Sequence, residues 1–155
     1  MISKDELKGT WQLESWTIGY SDRDDFTYPY GEDPKGLLMY TDDGWMSASI
    51  CRKERALLPD NVSFRKLPDE IKAAAFSSYF HYAGRYRVGE GDVIHYVTQS
   101  LNPNFPGTEQ LRHAELDGQT LVLSGKDQVG DVARFHSLVW HKLAPTEEHE
   151  VIDSE

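Results

Sequence analysis

The sequence predicts an all-β fold, an antiparallel up-and-down barrel of about eight strands with one or two short helices. Three observations carry that expectation. Segments rich in aromatic and β-branched residues follow one another along the chain, from "TWQLESWTIGY" to "VARFHSLVWHKL". Turn signals containing Gly and Asp separate them, about every 8–12 residues in the second half. Only two stretches carry helix signals. A two-sheet sandwich is the competing architecture, while a barrel of this strand number encloses side chains or one small ligand.

Taken in order, "SKDEL" offers Ser3 as an N-cap with Glu6 three residues on, which predicts one helical turn before Gly9. Thr10 to Tyr20 reads as the first strand. The segment from Ser21 to Lys35 is too long for a hairpin connection and reads as a rim or lid, with Phe26, Tyr28 and Tyr30 at the barrel mouth. "GLLMYTDDGWMSASIC" is a strand pair around a type I turn with Gly44 at a bulge. "LPDEIKAAAFSSY" predicts a helix near 68–79, lying over or against an opening of the barrel, with Pro68 near its start and two acids in its first turn. "FHYAGRYRV", "DVIHYVTQSL", "TEQLRHAEL", "QTLVLSG" and "VARFHSLVWHKL" supply the remaining strands. The barrel spans 1–143, and 144–155 is an acidic tail without apolar periodicity, expected to be disordered.

Turn positions fix register, and register fixes which side chains share a face. "VGEGDV" sets Val88 opposite Val93, Tyr86 opposite His95 and Tyr82 opposite Gln99. "LDGQ" sets Leu116 opposite Gln119 and Arg112 opposite Leu123. "TDDGW" sets Tyr40 opposite Met46 and Leu38 opposite Ala48, leaving Ser47, Ser49 and Cys51 outside. The inward set is therefore Tyr40, Met46, Tyr82, Tyr86, His95, Gln99, Gln110, Arg112 and Leu123. Four of these are polar, and a buried guanidinium or imidazole costs several kcal/mol unless it is hydrogen-bonded or wet. Such a cluster is either a satisfied internal network or the lining of a pocket for a polar ligand group.

The formal charge of −10 speaks against nucleic acid, whose phosphates call for clustered Lys and Arg. No apolar run has membrane-spanning length and the start has no signal-peptide core, which together with the single Cys51 predicts a cytoplasmic protein without a membrane partner. Six histidines raise the question of a metal, yet no His-x-His or Cys-x-x-Cys pair occurs, and no metal site is expected. There is no phosphate-binding or dinucleotide fingerprint and no nucleophile elbow, so no cofactor is expected either.

Gly9-Thr10-Trp11 is similar to the Gly-x-Trp of lipocalin and calycin barrels, in which the Trp closes the barrel floor and packs on a basic residue of a late strand. Lys142 stands where that basic residue is expected. More specifically, "LKGTWQLESW", "YPYGEDPKGLLMYTDDGWMSA", "YAGRYRV", "VIHYVTQSLNPNFPGTEQLR" and "LDGQTLVLS" resemble the small bacterial and fungal lipocalin-like domain proteins, from about residue 7 to about residue 142. The resemblance implies a lipocalin-like barrel and little about chemistry, although some members sit among enzymes of natural-product biosynthesis. It favours Trp140 facing inward, which by parity brings His136 in as well.

The noncovalent function left is binding of a small hydrophobic or aromatic ligand, contacted by Tyr40, Met46, Tyr82, Gln99, Gln110, Leu123, His136 and Trp140, with a carbonyl or carboxylate on Arg112. The alternative is a cofactor-independent isomerase, cyclase or lyase, in which His95 moves a proton, Arg112 stabilises an oxyanion and Tyr86 orients the imidazole or donates to a carbonyl. Monomer and homodimer are both left open.

Overall fold

A computed structural model describes residues 1–146. The tail expected to be disordered lies outside the described residues from 147 onward. In chain order the elements are α1 (Lys4–Leu7), β1 (Gly9–Tyr20), β2 (Arg23–Thr27), β3 (Lys35–Tyr40), β4 (Trp45–Cys51), a 3-10 turn (Phe64–Lys66), α2 (Asp69–Ser77), β5 (Tyr79–Val88), β6 (Asp92–Ser100), β7 (Glu109–Asp117), β8 (Thr120–Val129) and β9 (Val132–Lys142). All neighbouring strands run antiparallel in the order β2-β1-β3-β4-β5-β6-β7-β8-β9, and β1 also pairs with β9. That last pairing closes a barrel of eight strands, with β2 as an extra strand outside the closure. Closure removes the exposed edges that an open sheet of this length would present. Among the described residues no helix is long and apolar enough to cross a membrane.

The closed end is built from the first residues of the chain. Ser3 and Glu6 form the reciprocal capping box that the sequence predicts, which starts α1. Trp11 is fully buried and donates its indole N–H to the Leu7 carbonyl at 2.9 Å. Lys142 Nζ lies 4.8 Å from the centre of the Trp11 ring and donates to the carbonyls of Glu6 and Lys8. The cation on the aromatic face and the end of α1 are thus satisfied by one side chain.

Two bulges decide which residues face the interior. In β1 the pairing with β9 shifts between Leu13 and Ser15, so Glu14 is the extra residue and Trp16 and Ile18 join Trp11 and Leu13 on the inner side. In β5–β6 the shift lies between Ala83 and Gly84, where Gly84 meets Val97 and Ala83 meets Gln99. Only glycine fits there, because a Cβ on Gly84 would lie 1.9 Å from the Tyr96 carbonyl oxygen. The bulge turns Gln99 outward and sets Tyr82 opposite Ser100, which corrects the inward placement of Gln99.

The β7–β8 turn also differs from expectation. Asp117 pairs with Thr120, so the two-residue loop is Gly118-Gln119, with Gly118 at φ 61°. Arg112 consequently sits beside Gly125 instead of opposite Leu123. Each strand moves by one residue, so the faces are preserved. The Ser21–Lys35 segment holds β2, and none of its aromatics lines the cavity: Phe26 is exposed and meets Tyr28 edge to face, while Tyr30 packs on Trp16 and beneath Arg52. Helix α2 forms where predicted with no buried residue, and neither it nor the Ser21–Lys35 segment supplies a residue to the cavity wall.

Candidate functional site

A cavity of about 560 Å³ occupies the barrel interior above the Trp11 floor. Its walls are largely apolar and aromatic, with Trp16, Leu38, Phe80, Phe105, Leu123 and Leu138 among the lining residues. Its inner polar groups come from the buried Tyr82, His95 and Trp140 and the partly buried Arg112, and its mouth from Asp127, Arg134 and His136.

The inner group is organised around His95, the one buried polar side chain among the described residues. β6 aims it inward between Tyr86 on β5 and Gln110 on β7. Both ring nitrogens are taken: Nε2 is 2.6 Å from the Tyr40 hydroxyl and Nδ1 is 2.7 Å from the Tyr82 hydroxyl. Burial, reinforced by the nearby charge of Arg112, pulls the imidazole pKa down to about 3, so the ring is neutral at any ordinary pH. Burial raises the Tyr40 hydroxyl well above the usual phenol range and raises Tyr82 as well, the latter against the opposing pull of Arg112 by charge and hydrogen bonding. Both tyrosines therefore remain protonated.

Arg112 enters from β7 and makes no ion pair among the described residues. Its Nη1 donates to the Leu111 carbonyl at 2.9 Å. The guanidinium lies against Gly125, where an added Cβ would sit 2.7 Å from Nη1 and 3.1 Å from Cζ. Trp140 Nε1 is the one buried side-chain polar atom without a partner among the described residues.

The mouth is organised differently. Arg134 holds Asp127 through two bonds of 2.8 and 2.7 Å, and His136 Nε2 lies 2.9 Å from the same carboxylate. Hydrogen bonding to Arg134 is the main reason why the Asp127 carboxyl falls to about 2. Trp16 donates its indole N–H to His136 Nδ1 at 3.1 Å. Indole can only donate, so Nδ1 accepts and Nε2 carries the proton, which it gives to Asp127. Burial lowers the His136 pKa, more than offsetting Asp127.

Residues 8–143 match the family described as Lipocalin-like domain. The chain belongs to the lipocalin-like domain family. That barrel typically binds small hydrophobic ligands. No curated protein matches the chain. Among solved structures it is similar to an uncharacterized protein from Bacteroides eggerthii, at 14% identity, with 88% of this chain and 98% of that chain covered and a TM-score of 0.41.

Within this lipocalin-like barrel, His95, Arg112, Tyr82, Gln110, Leu123, His136 and Trp140 come together on the cavity wall. Four residues expected at the site do not. Gln99 is turned out by the β5–β6 bulge. Tyr40 and Met46 are buried in the core behind the wall, Tyr40 acting through His95. Tyr86 faces inward but donates its hydroxyl to the Thr41 carbonyl at 2.6 Å, so it does not orient the imidazole. Trp16, Asp127 and Arg134 are site residues that sequence reasoning missed. Asp127 and Arg134 were open to discovery: the Gly130-Asp131 loop sets Val129 opposite Val132, and counting back pairs Asp127 with Arg134 and Gly125 with His136. No group of three His, Cys, Asp or Glu is placed to hold a metal among the described residues.

Proposed function

We propose that the barrel binds a small, partly aromatic molecule, noncovalently and without a cofactor, with a carbonyl, carboxylate or phenolate oxygen against Arg112. The observation that carries this reading is a guanidinium without a carboxylate on the wall of an otherwise largely apolar cavity. A guanidinium on a cavity wall with no carboxylate partner has unused donors, and a ligand oxygen would supply charge-assisted bonds to them. The unpartnered Trp140 N–H offers a second donor to the same occupant. Aromatic walls and a volume of about 560 Å³ suit a molecule of a few rings.

The alternative reading is proton-transfer catalysis of the isomerase, cyclase or lyase kind through His95 and Arg112. A general base needs a free nitrogen and a pKa near the working pH, whereas His95 has both nitrogens bonded and is neutral down to about 3. Binding is therefore the preferred reading. Mass spectrometry of small molecules released from the purified protein tests it. The expected result is an aromatic compound bearing an oxygen acceptor that rebinds at one per chain and is recovered unchanged after incubation. A new product would favour the catalytic reading, and the absence of any bound or rebinding aromatic compound would contradict both.

A further inference from the structure

The hydroxyl hydrogens of the Tyr40–His95–Tyr82 row can be assigned from what each oxygen touches. Tyr40 is buried, does not line the cavity, and has His95 Nε2 as its hydrogen-bond partner. If Nε2 carried the ring proton, the Tyr40 O–H would have nowhere to donate, and an unpaired buried donor is expensive. Tyr40 therefore donates to Nε2, and the proton of the neutral ring sits on Nδ1. Nδ1–H then donates to the Tyr82 oxygen, 2.7 Å away. The Tyr82 oxygen thus already accepts from the ring, and Arg112, which has only donors, lines the same cavity beside Gly125. Its own hydrogen is left for the cavity, which Tyr82 lines.

We infer that Tyr82 and Arg112 form a donor-only oxyanion subsite, its polarity set by Tyr40 and His95 as positioning residues, so that the cavity selects ligands carrying a deprotonated oxygen over ligands presenting an O–H or N–H at that point. This rests on the binding reading above and narrows it to aromatic carboxylates, phenolates and enolates. The carboxylate at the mouth does not undo the selection, because Asp127 is already held by Arg134 and His136. An alcohol oxygen could also accept there, but its hydrogen would find no acceptor at the subsite and its bonds would be neutral, whereas an oxyanion accepts from both donors in charge-assisted bonds.

A phenol whose anion is coloured reads this directly. The full-length protein is titrated with 4-nitrophenol across pH, following the visible absorbance of the phenolate, and in parallel with 4-nitrotoluene, which has similar shape and no hydroxyl. The acid dissociation constant of bound 4-nitrophenol is expected to rise at least about tenfold over the free phenol, as for an acid placed beside a guanidinium. Tyr40→Phe touches no ligand yet releases the ring tautomer, so it should shrink that rise; Arg112→Met should remove most of it. Each variant is scored on the ratio of phenolate to 4-nitrotoluene affinity, and 4-nitrotoluene binding also reports an intact cavity. If 4-nitrotoluene binds but the acid constant of bound phenol is unchanged or lower, the subsite inference fails and the binding reading stands. If Tyr40→Phe keeps the full rise, the positioning role fails. If neither probe binds, both readings fail.

Discussion

The barrel floor and the cavity above it each place a cation among aromatic rings, and they resolve it in opposite ways. At the floor, Lys142 lies over the Trp11 ring and donates to the Glu6 and Lys8 carbonyls, and the Trp11 N–H is taken by Leu7. Every polar group named there is satisfied by the chain itself. In the cavity, Arg112 lies against Gly125 with no ion pair among the described residues, and the Trp140 N–H has no partner. A cation supplied with acceptors by the fold is structure. A cation left without them inside a cavity is an invitation to a ligand. Changes at the floor should therefore cost stability, and changes at the cavity wall should cost binding.

The largest effect expected is at the floor. Trp11→Ala removes a fully buried indole, its bond to Leu7 and the ring beneath Lys142, and should lower unfolding free energy by about 3–5 kcal/mol. Urea denaturation measures it, and an unchanged midpoint would mean that the floor is not a stabilising plug.

The floor was legible in advance and the cavity only in part, for a physical reason. Ser3 and Glu6 are a local capping signal, and Gly9, Trp11 and Lys142 follow from the family resemblance, whose motif lies within one short stretch. Cavity positions depend on counting along strands, and one extra residue inverts everything after it. Val88–Val93 and Tyr86–His95 lie before the β5–β6 bulge and were read correctly; Gln99 lies after it and was not. The signal was present in Gly84, an isolated glycine in a strand, which marks a bulge or a close backbone approach. Arg112 survived a misplaced turn because the error shifted both strands equally. That Tyr40, rather than Tyr86, holds the imidazole was not legible, since the contact crosses the barrel interior between strands that are not neighbours.

The contrast also makes a prediction about pH. His95 is neutral in the folded barrel down to about 3, whereas in the unfolded chain it protonates near its ordinary 6.5. The unfolded state thus binds more protons between those values, so the stabilising contribution is complete above about 6.5 and is lost progressively as pH falls towards 3. At pH 5 the loss from this residue should be about 2 kcal/mol. Comparing urea midpoints at pH 8 and pH 5 checks it, and His95→Gln should flatten the dependence. Asp127 adds a loss, reduced by its exposure to solvent, only below about 4. His136, also lowered by burial, adds to the loss within the same window, so the His95→Gln comparison isolates the His95 part.

On the cavity wall the expected effects are on affinity. Arg112→Met fills much of the same volume and removes a charge that the protein does not pair, so affinity for the co-purified compound should fall at least about tenfold while stability holds or rises. Calorimetric titration alongside denaturation separates the two. Smaller still is Gly125→Ala, whose Cβ would sit 2.7 Å from Arg112 Nη1. The flexible arginine can move aside, so the variant should fold normally and bind a few times, roughly two- to fivefold, more weakly. Equal affinity in Gly125→Ala would mean that the resting place of the guanidinium is immaterial to the ligand.

The most direct test is a crystal structure of the protein with its co-purified compound. The account predicts an aromatic molecule inside the barrel, above the Trp11 floor, with an oxygen within hydrogen-bonding distance of both Arg112 and the Tyr82 hydroxyl. A compound bound on the outer wall, or one lying in the cavity with its oxygens turned to the mouth and only carbon against Arg112, would contradict it.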